Sequence, residues 1–330
     1  MSSAQAPAPA GPVSRPRVTQ SAGYRSFAER LPLKMRRVKM VKEMAQCTQC
    51  NLCESPGTLA AATDVGQVPC NVRRFQDRVF TLWRCTGCGS IHCAEDADLA
   101  LYYADYPLQR QKAGFGERIG YANRLRLLKR QGFRESDRIL DYGCGAGLFV
   151  GVLREKGLKQ VFGYDAFVPA YHDPERLQEQ YDAVVSYDVI EHDDDPREFM
   201  RRVAPLVRPG GLLVIGTPNA DHVSIARKGN PSLHPPYHRH ILSERMLLAL
   251  GREQGLEPAD IYRRSFYDSL FPTVNSRFLW RYLEKSGLLD TAVEPPRTGL
   301  ILRSPDLLFF AFFGYFLPPG DWILVSFRKN

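Results

Sequence analysis

Three glycines at alternate positions, Gly143, Gly145 and Gly147, stand directly behind an acid, Asp141. Glycines at this spacing let backbone N–H groups approach a bound ligand beside a helix N-terminus, which is the chemistry of a nucleotide cradle. The pattern is G-x-G-x-G and not the G-x-G-x-x-G of the dinucleotide fingerprint. A second acid, Asp165, follows eighteen residues past Gly147. An acid so placed can accept both ribose hydroxyls of a nucleoside. Cys144 inside the turn reads as a small space-filling residue.

A different chemistry lies upstream. Seven of the eight cysteines fall between Cys47 and Cys93. Cys50-x-x-Cys53 and Cys85-x-x-Cys88 form two knuckle-like pairs, and tetrahedral zinc takes four thiolates from two such turns. One structural zinc on Cys50, Cys53, Cys85 and Cys88 is the expectation. Alternatives stay open in the pattern. Cys47-x-x-Cys50 can serve as the first pair, and Cys70, His92 and Cys93 can complete a second site. The Cys47, Cys50, Cys53 spacing also matches part of an iron–sulfur run, but the fourth cysteine is missing at its place.

These residues need elements to hold them. Ile139-Leu140 is a short apolar strand ahead of the glycine turn, and Leu148, Phe149, Val152 and Leu153 fall at helical spacing behind it. Val161–Tyr164 is a second strand, Tyr181–Ser186 a buried-type strand, and Asp195-Pro196 a helix start with an N-cap acid and proline at the first helical position. Arg208–Gly211 reads as a turn into the strand Leu212–Gly216. Gly320–Phe327 reads as the last strand, with Leu256–Tyr262 beside it. Histidines concentrate after the fifth strand, four of the seven being His222, His234, His238 and His240. The segment from Asn219 to Ser243 is therefore a candidate lid at the ligand-binding edge of the sheet.

This order, with the block Asp188-Val189-Ile190-Glu191-His192 and the Pro209-Gly210-Gly211 turn, resembles the class I S-adenosylmethionine-dependent methyltransferases. It is most similar to the group that includes the ubiquinone-biosynthesis O-methyltransferases. The resemblance covers roughly residues 115–265 and rests on four motifs in order. It implies an α/β, Rossmann-like doubly wound sheet with a reversed C-terminal strand. The Cys-rich segment, flanked by Trp83-Arg84 and Tyr102-Tyr103, looks like the zinc ribbon found before the catalytic domain in some bacterial methyltransferases. Only fifteen residues separate Asp165 from Tyr181, and they carry two prolines and no β-type run. A third edge strand, usual in the family, is expected to be shortened or lost. Cofactor contacts are then expected from Asp141, Gly143, Cys144, Gly145, Gly147, Asp165 and Asp188. His192 or His240 is the expected base for a hydroxyl acceptor. The resemblance also implies that Asp188, Glu191 and His192 can hold a cation such as Mg2+.

Composition bounds the rest. The chain has 330 residues and a net charge of +8, which points to an anionic partner surface, either membrane or nucleic acid. No run of eighteen apolar residues is present, and the first residues lack the apolar core of a secretory signal. Expected placement is cytoplasmic, with membrane association as an option. The expected organisation is a disordered tail at 1–32, a basic amphipathic helix at 33–46, the ribbon at 47–103, the core at 104–265, an apolar helical insertion at 266–319 and a final strand at 320–330. Within the insertion, Leu307–Leu317 is too short to span a bilayer and is expected to be buried or to line a greasy pocket. The leading function is methyl transfer to oxygen of a hydrophobic, lipid-like small molecule. The rivals are an RNA methyltransferase and a cofactor-binding chain that transfers nothing.

Overall fold

Six strands form the central sheet, and their order explains why one end of it is open to a ligand. The computed structural model describes residues 47–53, 57–104, 106–227, 229–318 and 320–330. The tail and basic helix expected before residue 47 lie outside the described residues. The description concerns the compact unit that ends at Asn330.

Its first part is a Cys-rich module built on β1 (Val65–Pro69), β2 (Val79–Arg84) and β3 (Ile91–Cys93), followed by α1 (Leu99–Tyr103). Helix α2 (Phe115–Arg130) then leads into the core. The core alternates β4 (Ile139–Tyr142), α3 (Leu148–Glu155), β5 (Val161–Tyr164), β6 (Tyr181–Tyr187), α4 (Pro196–Val203) and β7 (Val207–Pro218). Strand β8 (His240–Ile241), α5 (Glu244–Glu253) and β9 (Leu256–Tyr262) follow. The insertion carries α6 (Ser276–Ser286), α7 (Thr298–Leu302) and α8 (Pro305–Phe313), and β10 (Trp322–Lys329) closes the chain.

The core sheet runs β5-β4-β6-β7-β10-β9. The first four strands are parallel, and β10 is antiparallel to both neighbours, so the reversed final strand is present. Among the described residues, no strand pairs beyond β5. Residues 166–180 hold two short helical turns, Pro169–Tyr171 and Pro174–Gln178, in place of the missing edge strand. Proline at the first position of each turn removes a ladder donor, which disfavours a strand.

Local chemistry sets the element ends. Asp195 Oδ1 accepts from the N–H groups of Arg197 and Glu198, both at 3.0 Å, and starts α4 as its sequence implies. The turn expected at Arg208–Gly211 is instead carried inside β7. The β6 ladder steps from Val207 to Leu212, so these residues bulge out, with Gly210 at φ +73°. Two apolar layers sandwich the sheet. One contains Phe199, Val203, Leu247 and Phe327, and the other Leu128, Phe149, Leu153 and Trp322.

The Cys-rich module is joined to the core by pairing. Its sheet runs β1-β2-β3-β8, so its fourth strand comes from the segment that follows β7. In the insertion, Leu307 and Ala311 are buried against Phe278 and Tyr282, while Phe309, Phe312 and Phe313 face out. Of the two roles expected for Leu307–Leu317, Leu307 and Ala311 take burial, and no residue of α8 lines the cleft described below. Among the described residues, no helix is long and apolar enough to cross a membrane.

Candidate cofactor cleft and metal-type clusters

The carboxyl ends of β4, β5 and β6 open into a cleft of about 270 Å³. Its floor is the glycine turn. Gly143, Gly145 and Gly147 have φ of +80°, +53° and +74°, the left-handed region that side chains disfavour. A Cβ at Gly145 would meet nothing within 4 Å, so this residue faces open space at the cleft. A Cβ at Gly147 would collide with the Tyr171 hydroxyl.

Asp165 braces this turn. Its Oδ2 accepts from the Gly145 N–H at 2.9 Å, and its Oδ1 from Phe167 and Val168 at 2.8 and 3.0 Å. Capacity for a ribose hydroxyl remains chiefly at Oδ2. Asp141, Gly143, Cys144, Gly145, Asp165 and Asp188 all line the cleft, whereas Gly147 lies just behind it, at the N-cap of α3. Burial pushes the Asp141 carboxyl up to about 7, with Arg124 opposing the shift and Asp165 adding to it.

Arg124, from α2, was not singled out in the sequence. Its guanidinium is sandwiched between the rings of Tyr187 and Phe266, 3.8 and 3.7 Å from their centroids, and reaches to 3.9 Å from Asp188 Oδ2. Its Nε is buried without a hydrogen-bond partner. The cleft thus presents one fixed cation beside two carboxylates. A bound α-amino acid group, with its own carboxylate and ammonium, has the matching charges.

Aromatic residues form another part of the wall: Tyr103 of α1, Tyr106, Tyr121, Phe167 and Tyr187. Tyr103 stacks on Phe167 at 5.5 Å, and its hydroxyl lies 2.7 Å from His192 Nδ1. Burial, with neighbouring His238 adding to it, holds the His192 imidazole well below its ordinary pKa, so the ring is neutral. Burial pushes the Tyr103 phenol up. The phenol therefore donates to Nδ1.

His240 is placed elsewhere, and its expected role as acceptor base does not fit. It is buried against His92 and gives Nε2–H to the Asp194 carbonyl at 3.0 Å, outside the cleft. The segment from Asn219 to Ser243 is not a lid either. Asn219, Asn230, Ser232 and His234 are buried, and His234 Nε2 pairs with the Tyr106 hydroxyl at 3.1 Å, backing the wall of the cleft.

Asp188, Glu191 and His192 do not converge as one ligand set. The structure groups Glu191 and His192 with His238 instead, with ligand atoms within 4.8 Å of one another. Asp188, at φ +57°, turns into the cleft, while Glu191 is buried and accepts from Thr217 at 2.9 Å.

The four knuckle cysteines do meet. Cys50 to Cys88, Cys50 to Cys53 and Cys53 to Cys85 are each 3.7 Å between sulfurs. Tetrahedral zinc at a Zn–S distance of 2.3 Å separates its sulfurs by about 3.8 Å, so these residues can hold the ion. Cys70 and Cys93 do not join His92. Successive residues of a strand face opposite sides, and Cys93 packs with Cys70 in a separate apolar cluster under Tyr102 and Tyr237.

Residues 113–260 match a family model described as a methyltransferase domain. The ubiquinone biosynthesis O-methyltransferase of Bradyrhizobium diazoefficiens is 33% identical over 109 residues, covering 27% of this chain and 43% of that protein. That of Bordetella avium is 28% identical over 159 residues, covering 39% of this chain and 65% of that protein. The chain thus spans less than two thirds of the length of these curated relatives. A solved S-adenosylmethionine dependent methyltransferase from Mesorhizobium loti aligns at a TM-score of 0.38 and 16% identity, over 62% of this chain and 96% of that one. Residues 113–260 of the chain thus match a methyltransferase domain and are similar to part of the ubiquinone biosynthesis O-methyltransferases.

Proposed function

We propose that this chain methylates an oxygen of a hydrophobic, aromatic small molecule, with S-adenosylmethionine as donor. The observation that carries the reading is that one cleft contains a glycine cradle, an amino-acid-type charge set and a tyrosine–histidine proton pair. Arg124 is assigned to the methionyl carboxylate, Asp141 and Asp188 to the ammonium, and Asp165 with the turn Gly143–Gly147 to the nucleoside. Cys144 fills space beside Gly163, whose added Cβ would meet its sulfur at 2.9 Å. Bound in this way, the cofactor supplies an electrophilic methyl on a sulfonium.

The chain's own part is positioning and one proton transfer. The acceptor oxygen would take that methyl, and the cofactor would leave as a neutral thioether. The acceptor proton passes to Tyr103 Oη as the Tyr103 proton passes to the bare Nδ1 of His192. The Tyr237 carbonyl also accepts a hydrogen bond from His192, which holds the ring in this tautomer. His192 therefore acts behind Tyr103.

Tyr103, Tyr106, Phe167 and Leu108 give the cleft an apolar, aromatic wall that favours a ring-bearing acceptor. The curated relatives' names, which place their O-methylation in ubiquinone biosynthesis, support the same choice. We also assign one structural zinc to Cys50, Cys53, Cys85 and Cys88, fixing the module that carries Tyr103.

A panel of lipophilic phenols and catechols, matched non-hydroxylated analogues and RNA oligonucleotides tests the acceptor. Methyl transfer to the phenolic members alone is expected. Transfer to RNA with none to the phenols would overturn the acceptor class.

A further inference from the structure

Three metal-type side chains meet a second time in the Cys-rich module, away from the cleft and beside the tetrad, His92 lying against Cys85 and Cys88. Cys47 precedes the first knuckle, His92 is the central residue of β3, and His240 opens β8. Their ligand atoms lie within 4.8 Å of one another. The fold brings them together by pairing. His92 stands opposite His240 in the β3–β8 ladder. The Cys47 N–H donates to the Ala94 carbonyl at 2.7 Å, which lays Cys47 along the end of β3. His92 is fully buried, with its ring 4.7 Å from that of Trp83.

Hydrogen-bond accounting leaves this cluster short of a cation. His240 Nε2 faces the Asp194 carbonyl, which can only accept, so that nitrogen carries the hydrogen and Nδ1 keeps a lone pair. That lone pair faces His92 Nδ1 at 2.8 Å. His92 Nε2 is buried with no hydrogen-bond partner. With its hydrogen on Nδ1, His92 satisfies His240 but leaves its own Nε2 empty. With its hydrogen on Nε2, two lone pairs oppose each other at the Nδ1 atoms. Either arrangement of neutral rings leaves a buried defect, which a second proton on His92, favoured by the neighbouring sulfurs of Cys47, Cys85 and Cys88, or a metal ion in its place would relieve.

We propose that Cys47, His92 and His240 bind a second zinc-type ion, separate from that of the Cys50–Cys53–Cys85–Cys88 tetrad. One thiolate and two imidazoles form a borderline-soft set suited to Zn2+. Both Nδ1 lone pairs and the Cys47 sulfur then point at the ion, and the Cys47 thiol releases its proton on binding. Tetrahedral zinc places ligating nitrogens about 3.4 Å apart, so the rings need to part by roughly 0.6 Å. Cys47 is only half-buried, and water from its side completes the tetrahedron. The ion would pin the module to the segment after β7, whose Tyr237 and His234 back the aromatic wall.

The test is metal content of the purified full-length chain, saturated with zinc and dialysed, together with a Co2+ titration followed by absorbance. Two zinc ions per chain are expected in the wild type. Cys47→Ser and His240→Ala should each retain one, with an unchanged circular dichroism spectrum, and His240→Cys should restore the second. Cobalt should fill two spectral classes in the wild type, and His240→Ala should lose only the class with fewer thiolates. A single metal in the saturated wild type would overturn the proposal, whatever the variants do. So would two metals that persist in both Cys47→Ser and His240→Ala.

Discussion

The Tyr103 hydroxyl lies 2.7 Å from Nδ1 of His192, joining the helix behind the Cys-rich module to the loop behind β6. Each residue is contributed by a different part of the chain, and both line the cleft. The module is thereby coupled to the chemistry assigned to the core.

Tyr103→Phe and His192→Ala should leave cofactor affinity within about threefold and lower kcat by 10²–10⁴-fold, the range for a lost general base. Calorimetry and single-turnover product formation separate the two effects. A loss of cofactor affinity with unchanged turnover at saturation would return the pair to a structural role.

Arg124→Lys keeps a positive charge but loses the planar fork held between Tyr187 and Phe266. Cofactor affinity should fall by roughly 30-fold, equivalent to about 2 kcal/mol for a charge-assisted hydrogen bond. Binding of adenosine, which lacks the amino-acid head, should be unchanged. Equal weakening of both ligands would show that Arg124 only supports the fold.

Burial raises Asp141 to about 7, so in the free protein it is protonated below that pH and charged above it. Affinity for the ammonium group should therefore rise between pH 6 and 7.5, by up to about tenfold per pH unit for one coupled proton. Burial raises Asp188 to about 7 as well, so Asp141→Asn should reduce the slope and leave the part due to Asp188. The sign for stability is the opposite. The raised value stabilises the fold fully only below about pH 4, and that contribution is lost as pH rises through 7. The free Asp141→Asn protein should accordingly lose less stability between pH 6 and 8 than the wild type in denaturant titrations. Parallel profiles for the two proteins would contradict this account of Asp141.

Cys85→Ser should release the tetrad metal and destabilise β2 and β3, because structural zinc supplies folding free energy directly. Hydrogen exchange should report faster opening of residues 79–93, while β4 and β6 stay protected. Full metal retention would remove the tetrad assignment.

The glycine turn, the Asp195 cap and the missing edge strand were legible in the sequence because each depends on neighbours within a few residues, and Asp165 because it ends the strand next after the turn it braces. Arg124 was not. It is one of several basic residues on a helix, and only the tertiary fold sandwiches it between Tyr187 and Phe266. Tyr103 read as a flank of the ribbon, since its partner His192 lies 89 residues away. The placing of His240 failed for the same reason. Its position is set by the β3–β8 pairing, which spans 148 residues and leaves no local pattern. The Asp188-x-x-Glu191-His192 spacing suggested one ligand set, but the left-handed backbone at Asp188 turns that acid away into the cleft.

Cofactor binding at the glycine turn is the central claim, and calorimetric titration of S-adenosylmethionine into wild type and Gly145→Val tests it most directly. Gly145 sits at φ +53° with open space where a Cβ would point, so valine would strain the turn and fill the cradle together. Micromolar-range binding by the wild type and loss of at least about 100-fold in the variant, roughly 2.7 kcal/mol, is the expected result. No binding by the wild type, or equal affinity in the two proteins, would contradict it.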